Sequence, residues 1–248
     1  MSIKNVVVVG GGVLGSQIAY QTAYAGFHTT IYLRSEASIE RARPKVDRLH
    51  AIYVAELTAA KANPGAPVSR GLVFNAADTA AVNYDELLAR AEKAYQELGY
   101  STDLAAAVND ADPIIEALAE DPKAKTAFYQ QLQPLLPEKT ILATNSSTLL
   151  PSMLADSTGR PEKFLALHFA NNIWSGNTAE VMGHDRTDPA AYDAAAKFAE
   201  DIGMIPLKLK KEKAGYILNS MLVPFLSSAQ SLLAGGYADV ETIDKTWT

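Results

Sequence analysis

Four sets of residues in this chain have the types and spacing to do chemistry. Gly10, Gly12 and Gly15 fill the pattern G-x-G-x-x-G, with Val13 and Leu14 between the last two. That spacing suits the pyrophosphate of a dinucleotide: one glycine makes a tight turn, one lets phosphate approach the backbone, and one lets a helix pack close to a strand. Asn145 and Ser147 lie in the run ATNSSTL, His168 in FLALH, and Glu180 in AEVM twelve residues later. Histidine trades a proton near neutral pH, and a carboxylate behind it fixes its tautomer and raises its pKa. Glu180 in an apolar run needs such a partner, because an unpaired buried carboxylate is costly. His28, His50 and His184 have no such company, and four histidines without cysteine at scattered spacing give no metal-site signature.

These side chains need elements to carry them. Val6 to Val9 are four β-branched residues, which read as a central strand buried on both faces. The glycines then open a helix from Leu14 to Ala25, whose start offers free N–H groups and a positive dipole end to phosphates. Strands are expected at 28–33, 113–117, 140–144, 164–168, 179–182 and 205–209, alternating with helices at 105–108, 121–136 and 189–201. Between the strands at 28–33 and 113–117, helical runs at 35–63 and 84–98 flank the breaker NPGAPVSRG and form a helical hairpin insert of about 36–98. Arg41, Arg43, Lys45, Arg48 and Lys61 there read as a solvated charged face.

The alternation predicts a Rossmann-type α/β fold, a doubly wound and mostly parallel sheet, in residues 1–210. In such sheets ligands bind beyond the carboxyl ends of the strands, where Asn145, Ser147 and His168 fall. Strands stop near residue 211, and residues 211–248 read as the start of an all-helical substrate and dimerisation domain. Its long helix, from Gly215 to about Leu233, contains Pro224 and is apolar on more than one face. A homodimer built from this region is expected.

Composition narrows the function classes. With 248 residues, 48% hydrophobic and 20% charged, the chain is of ordinary globular type. A net charge of −6 argues against nucleic-acid or anionic-membrane partners, and the lack of cysteine removes disulfides and thiolate chemistry. No charged-then-apolar leader or bilayer-length run is present in the sequence, so a cytoplasmic protein is the simplest expectation. The second strand ends in Leu33, Arg34 and Ser35, where a nicotinamide-dinucleotide site commonly has an acid to hold the adenine ribose. An arginine and a hydroxyl suit a 2′-phosphate, which leans the coenzyme expectation from NAD toward NADP.

The order GGGVLG, ATNSSTL, LHFANN, AEVM, AGYILN resembles the short-chain L-3-hydroxyacyl-CoA dehydrogenases of fatty acid metabolism. Within that superfamily it most resembles the bacterial diketoreductases, which reduce keto groups of dioxo esters. The resemblance runs from residue 3 to the end of the chain. It implies His168 as the catalytic histidine and Glu180 as its carboxylate partner. Ser147 and Asn219 then hold the reacting oxygen. Glu120 and Lys125 meet the cofactor, Asn145 lies beside the nicotinamide, and Asn171 faces the substrate; Arg34 is a cofactor candidate from its own place at the end of the second strand, outside the resemblance. The substrate implied is a small 3-hydroxy or 3-keto acyl molecule. Related readings are a dehydrogenase of a sugar acid or carnitine, and, more distantly, a non-catalytic dinucleotide-binding sensor or structural protein.

Three departures from the family pattern bear on these expectations. Ala170, Asn171 and Asn172, then Ile173 and Trp174, stand where the family has F-N-P after H-F, which bears on the acyl-CoA substrate. Leu33 and Arg34 replace the usual acid. The family's helical domain continues past the position of Thr248 with a Gly-Pro-Phe stretch. The sequence reading therefore takes the helical domain as incomplete, with no closing helix at Lys245–Thr248.

Overall fold

A computed structural model describes residues 3–247. Thr248, on which part of the chain-end expectation falls, lies outside the described residues. The elements run β1 (Asn5–Val9), α1 (Val13–Tyr24), β2 (His28–Tyr32), α2 (Glu36–Ala62), α3 (Tyr84–Glu97), β3 (Gly99–Ser101) and α4 (Leu104–Val108). They continue with β4 (Pro113–Glu116), α5 (Pro122–Leu132), β5 (Ile141–Thr144), α6 (Pro151–Leu154), β6 (Phe164–Phe169) and β7 (Thr178–Met182). The last are α7 (Pro189–Asp201), β8 (Ile205–Lys208), α8 (Leu218–Ala234) and α9 (Val240–Lys245). One eight-stranded sheet has the order β3-β2-β1-β4-β5-β6-β7-β8, and only β6 and β7 pair antiparallel.

The run of valines works as its sequence implies. Val6 and Val8 join the core beneath α1, α2, α3 and α7, while Val7 and Val9 join the opposite one with Leu104, Tyr129 and Leu142. A strand buried on both faces belongs at the centre of a doubly wound sheet. Helix starts are set by capping residues: Asp121 accepts from Lys123 N at 2.9 Å and Asp188 from Ala190 N at 2.8 Å, each followed by proline.

The structure corrects the sequence reading at three places. The short edge strand β3 was not expected: Gly99–Ser101 has no apolar run, and Tyr100 pairs with Ile31 beside it. The helix expected to reach Leu136 ends at Leu132, because Pro134 cannot donate to the ladder, and a 3₁₀ turn follows. The long helix begins at Leu218 instead of Gly215, because Gly215 and Tyr216 have φ of +79° and +51°. Beyond α8 the chain forms the short helix α9, capped by Asp239 accepting from Thr242 N at 2.8 Å, and Trp247 meets the Phe225 ring edge-on at 4.7 Å. Among the described residues no helix is long and apolar enough to cross a membrane.

Candidate active site

The glycine turn sits between β1 and α1 at the carboxyl edge of the sheet. Gly10 has φ +106°, and a Cβ there would lie 2.7 Å from Ala117 O. At Gly15 a Cβ would lie 2.2 Å from Gly10 O, so helix and turn touch backbone to backbone. Gly11, which the spacing alone does not single out, is equally tight: its Cβ would meet Ala42 Cβ at 2.7 Å. Gly12 is different, with nothing within 4 Å of the position a Cβ would take. The first bond of α1 is Ser16 N to Gly12 O, and no group among the described residues accepts from Val13 or Leu14 N–H. Open space facing unpaired N–H groups at a helix start fits a dinucleotide pyrophosphate.

The proton-handling residues meet across the antiparallel pair. β6 and β7 place His168 opposite Glu180 in direct register. His168 Nδ1 lies 2.9 Å from Glu180 Oε2, and His168 Nε2 lies 3.1 Å from Ser147 Oγ. Glu180 Oε1 accepts from Ile217 N at 2.8 Å and Leu218 N at 2.9 Å, so the start of α8 supplies both donors and a favourable dipole. Both side chains are buried. A neutral His168 with its proton on Nδ1 presents Nε2 as an acceptor beside Ser147, the arrangement of a general base. Tyr216 stacks on the imidazole with ring centroids 4.5 Å apart and planes 19° from parallel.

A second polar cluster underlies the ends of β4 and β5. Lys125 and Glu116, each 1% exposed, pair at 2.5 Å. Glu116 also accepts from Leu118 N at 2.6 Å and from Tyr129 Oη and Thr144 Oγ1, both at 2.9 Å. Desolvation works to raise the Glu120 carboxyl, but bonds from Ser146 and Thr148 and the nearby Lys125 hold it below the usual carboxylate range. Glu120 thereby ties the loop bearing Ser147 to the end of β4. Neither Glu116 nor Tyr216 was singled out in the sequence. Glu116 sits in the expected apolar strand 113–117, which is the signal that could have found it, whereas Tyr216 reads as one more apolar position of a helix.

The remaining expected residues are placed as follows. Asn145 Oδ1 accepts from Phe169 N at 3.0 Å, leaving its Nδ2 without a partner among the described residues. Asn219 lies in the first turn of α8, and no hydrogen bond joins it to Ser147 or His168. Asn171 is exposed in the loop between β6 and β7. That loop is anchored by Asn172 N to Gln17 Oε1 at 2.9 Å and by Gly71 N to Trp174 O at 2.9 Å. It borders a cavity of about 380 Å³ with Val13, Gln17, Lys45, Arg48 and Ile52. Leu33 is buried beside the glycine turn, whereas Arg34 is exposed and has no ion pair among the described residues. Lys125 is buried and paired with Glu116, with Glu120 at 3.6 Å on the other side. No cluster of three or more metal-ligating side chains occurs among the described residues.

This combination of a phosphate-ready glycine turn and a histidine–carboxylate pair is that of a nicotinamide-dependent oxidoreductase. Residues 5–212 match the family described as 3-hydroxyacyl-CoA dehydrogenase, NAD binding domain, and the chain belongs to that family. It is 31% identical over 242 residues to the mitochondrial hydroxyacyl-coenzyme A dehydrogenase of Sus scrofa, covering 98% of this chain and 70% of that one. It is 27% identical to a 3-hydroxybutyryl-CoA dehydrogenase of Clostridioides difficile, covering 96% and 74%. The solved structure of a diketoreductase acting on dicarbonyl compounds superposes with a TM-score of 0.83 at 49% identity, covering 100% of this chain and 78% of that one.

Proposed function

We propose that this oxidoreductase interconverts a 3-hydroxy and a 3-keto group of a small acyl or dicarbonyl substrate, with His168 as its acid–base. The observation that carries this reading is the chain Ser147–His168–Glu180, with separations of 3.1 and 2.9 Å. A nicotinamide coenzyme, its pyrophosphate held at the glycine turn, would supply or accept the hydride. In the reducing direction His168 gives the Nε2 proton to the oxygen of the product alcohol; in the oxidising direction it takes that proton back. Glu180, which accepts from the Ile217 and Leu218 N–H groups, stabilises the imidazolium. Ser147 orients the reacting oxygen and opposes its developing charge, an effect worth about 2.7–4 kcal/mol for one well-placed donor. Asn145 is the candidate for contact with the nicotinamide, Asn219 for a second donor to the oxygen, and Asn171 for contact with the substrate.

The substrate class favoured is a dicarbonyl ester in preference to an acyl-CoA thioester, supported by the likeness to the diketoreductase and by the residues 170–174 beside the cavity. The coenzyme favoured is NADPH, supported by exposed Arg34 and by the absence of a carboxylate at buried Leu33. Residues 1–210 hold the cofactor. Residues from 211 onward begin a helical domain that closes the substrate cleft and joins two copies. The exposed Met221, Leu222, Phe225 and Leu226 of α8 support that division. The test is oxidation of NADH and NADPH with acetoacetyl-CoA and with a 3,5-dioxohexanoate ester, beside His168→Ala. The reading requires turnover of at least one keto substrate and a loss of 10²–10⁴-fold in that variant. Full activity of His168→Ala, or a monomer in light scattering at assay concentration, overturns the corresponding part.

A further inference from the structure

We propose that Tyr216 is a positioning residue for proton transfer, its ring fixing and favouring the charged His168 imidazole and its hydroxyl fixing the loop that carries Ser147. The inference rests on the reading of His168 as the acid–base. Four observations converge on it. The phenol ring lies nearly parallel to the imidazole at 4.5 Å. Its hydroxyl donates to Ser146 O at 2.6 Å, one residue from Ser147. The side chain is 1% exposed, and its backbone holds φ +51°, which an aromatic residue adopts only under constraint from its surroundings. The next two N–H groups, of Ile217 and Leu218, bind Glu180.

The chemistry follows from this placement. An imidazole held only by its two nitrogens can still rock about the line joining them, and the Nε2 lone pair or N–H, which lies off that line, then tilts away from the reacting oxygen. A ring on one face removes that freedom. The same face carries negative π-density, which attracts an imidazolium more than a neutral imidazole. Tyr216 thus assists the one charged state that the reaction must pass through, without touching substrate or cofactor. The charged groups around the stack are Glu180 on β7, Glu120 in the loop after β4, and Glu116 at the end of β4. Burial, with these carboxylates, pushes the phenol well above its ordinary pKa, so the hydroxyl stays a donor throughout the working range.

The test separates ring from hydroxyl. Tyr216→Phe keeps the stack and loses the bond to Ser146 O; it is expected to lower kcat by about three- to tenfold while leaving the pH limits in place. Replacing residue 216 by mono-, di- and trifluorinated phenylalanines weakens the ring face at nearly constant shape, so folding is preserved. The alkaline limb of the reducing reaction should then move stepwise to lower pH, by about half a unit across the series. KM and NAD(P)H affinity by fluorescence should stay within threefold throughout. A limb that does not move with fluorination, alongside an inactive His168→Ala, overturns the role of the ring. A Tyr216→Phe variant equal to wild type overturns the role of the hydroxyl. An active His168→Ala would instead remove the acid–base reading beneath both.

Discussion

Glu180→Gln changes one atom, and the structure fixes what that atom must do. The Ile217 and Leu218 N–H groups, at 2.8 and 2.9 Å, need an acceptor, so the amide oxygen stays with them. The amide NH₂ is then forced toward His168 Nδ1 at 2.9 Å, where it can only donate. Nδ1 must therefore accept, and the imidazole proton moves to Nε2, facing Ser147. An Nε2–H cannot take a proton from an alcohol, and giving its proton away would leave an imidazolate. The same tautomer error in a serine-protease triad costs about 10⁴ in kcat. Here a loss of about 10³–10⁴ is expected in both directions, or about 4–5.4 kcal/mol of barrier. Stability should barely change, because α8 keeps its acceptor. Glu180→Ala, by contrast, strands two N–H groups and should cost about 1–3 kcal/mol of folding free energy. The assays are steady-state turnover at saturating coenzyme and thermal unfolding by circular dichroism. A Gln variant within tenfold of wild-type kcat, or Gln and Ala variants equally destabilised, would refute the reasoning.

Other substitutions test the remaining parts. Leu33→Asp with Arg34→Ser should switch kcat/KM toward NADH by at least tenfold, measured as the ratio of the two coenzymes; a ratio already favouring NADH in the wild type would make Arg34 a mere surface charge. Gly12→Ala should fold normally but bind dinucleotide at least tenfold more weakly, whereas Gly15→Ala, with its Cβ 2.2 Å from Gly10 O, should also lose about 1–3 kcal/mol of stability. Fluorescence titration and denaturant unfolding distinguish the two, and identical behaviour would contradict the different clearances. Asp112 accepts from Lys4 N and Asn5 N at 2.7 and 2.9 Å; desolvation alone would raise its carboxyl, but the Lys139 and backbone bonds bring it below its ordinary 3.8. A depressed carboxyl stabilises the fold above its unfolded pKa, and that contribution fades as pH falls through the folded value. Asp112→Asn should therefore cost about 1–3 kcal/mol near pH 7, with the gap closing below about pH 4 in urea unfolding. Lys125→Met leaves Glu116 charged and unpaired and should cost about 3–5 kcal/mol, while Lys125→Met with Glu116→Gln should recover much of it.

How much of this was legible in the sequence depends on whether the cause is local. The glycine turn and β1 were legible because a strand buried on two faces and a tight turn both write themselves into consecutive residues. The pairing of His168 with Glu180 was named by the family resemblance; the residues alone said only that a carboxylate in an apolar strand demands a partner, and spacing does not say which. The antiparallel β6–β7 register supplies the answer. The buried Lys125–Glu116 pair was half legible, because Glu116 in its apolar strand carries the same signal as Glu180 but nothing local names Lys125, on the helix that follows, as its partner. β3 was hidden because three half-buried residues carry no period, and their place depends on β2 being there to pair with. Tyr216 and the acceptor role of Glu180 toward α8 depend on contacts 37 or more residues apart along the chain.

The reversal of β7 has a consequence for how such an enzyme can change. His168 and Glu180 face each other across a ladder whose hydrogen bonds set their register, and the segment 170–177 is merely the tip joining the two strands. A tip can lengthen, shorten or exchange residues without sliding the ladder, provided its two moorings to Gln17 and Gly71 are kept. On the proposed reading, the chemistry is carried by the stem of a hairpin and the choice of molecule is made beside its end. Grafting tips from relatives of different substrate range onto this stem should yield enzymes that differ in what they accept while sharing one mechanism.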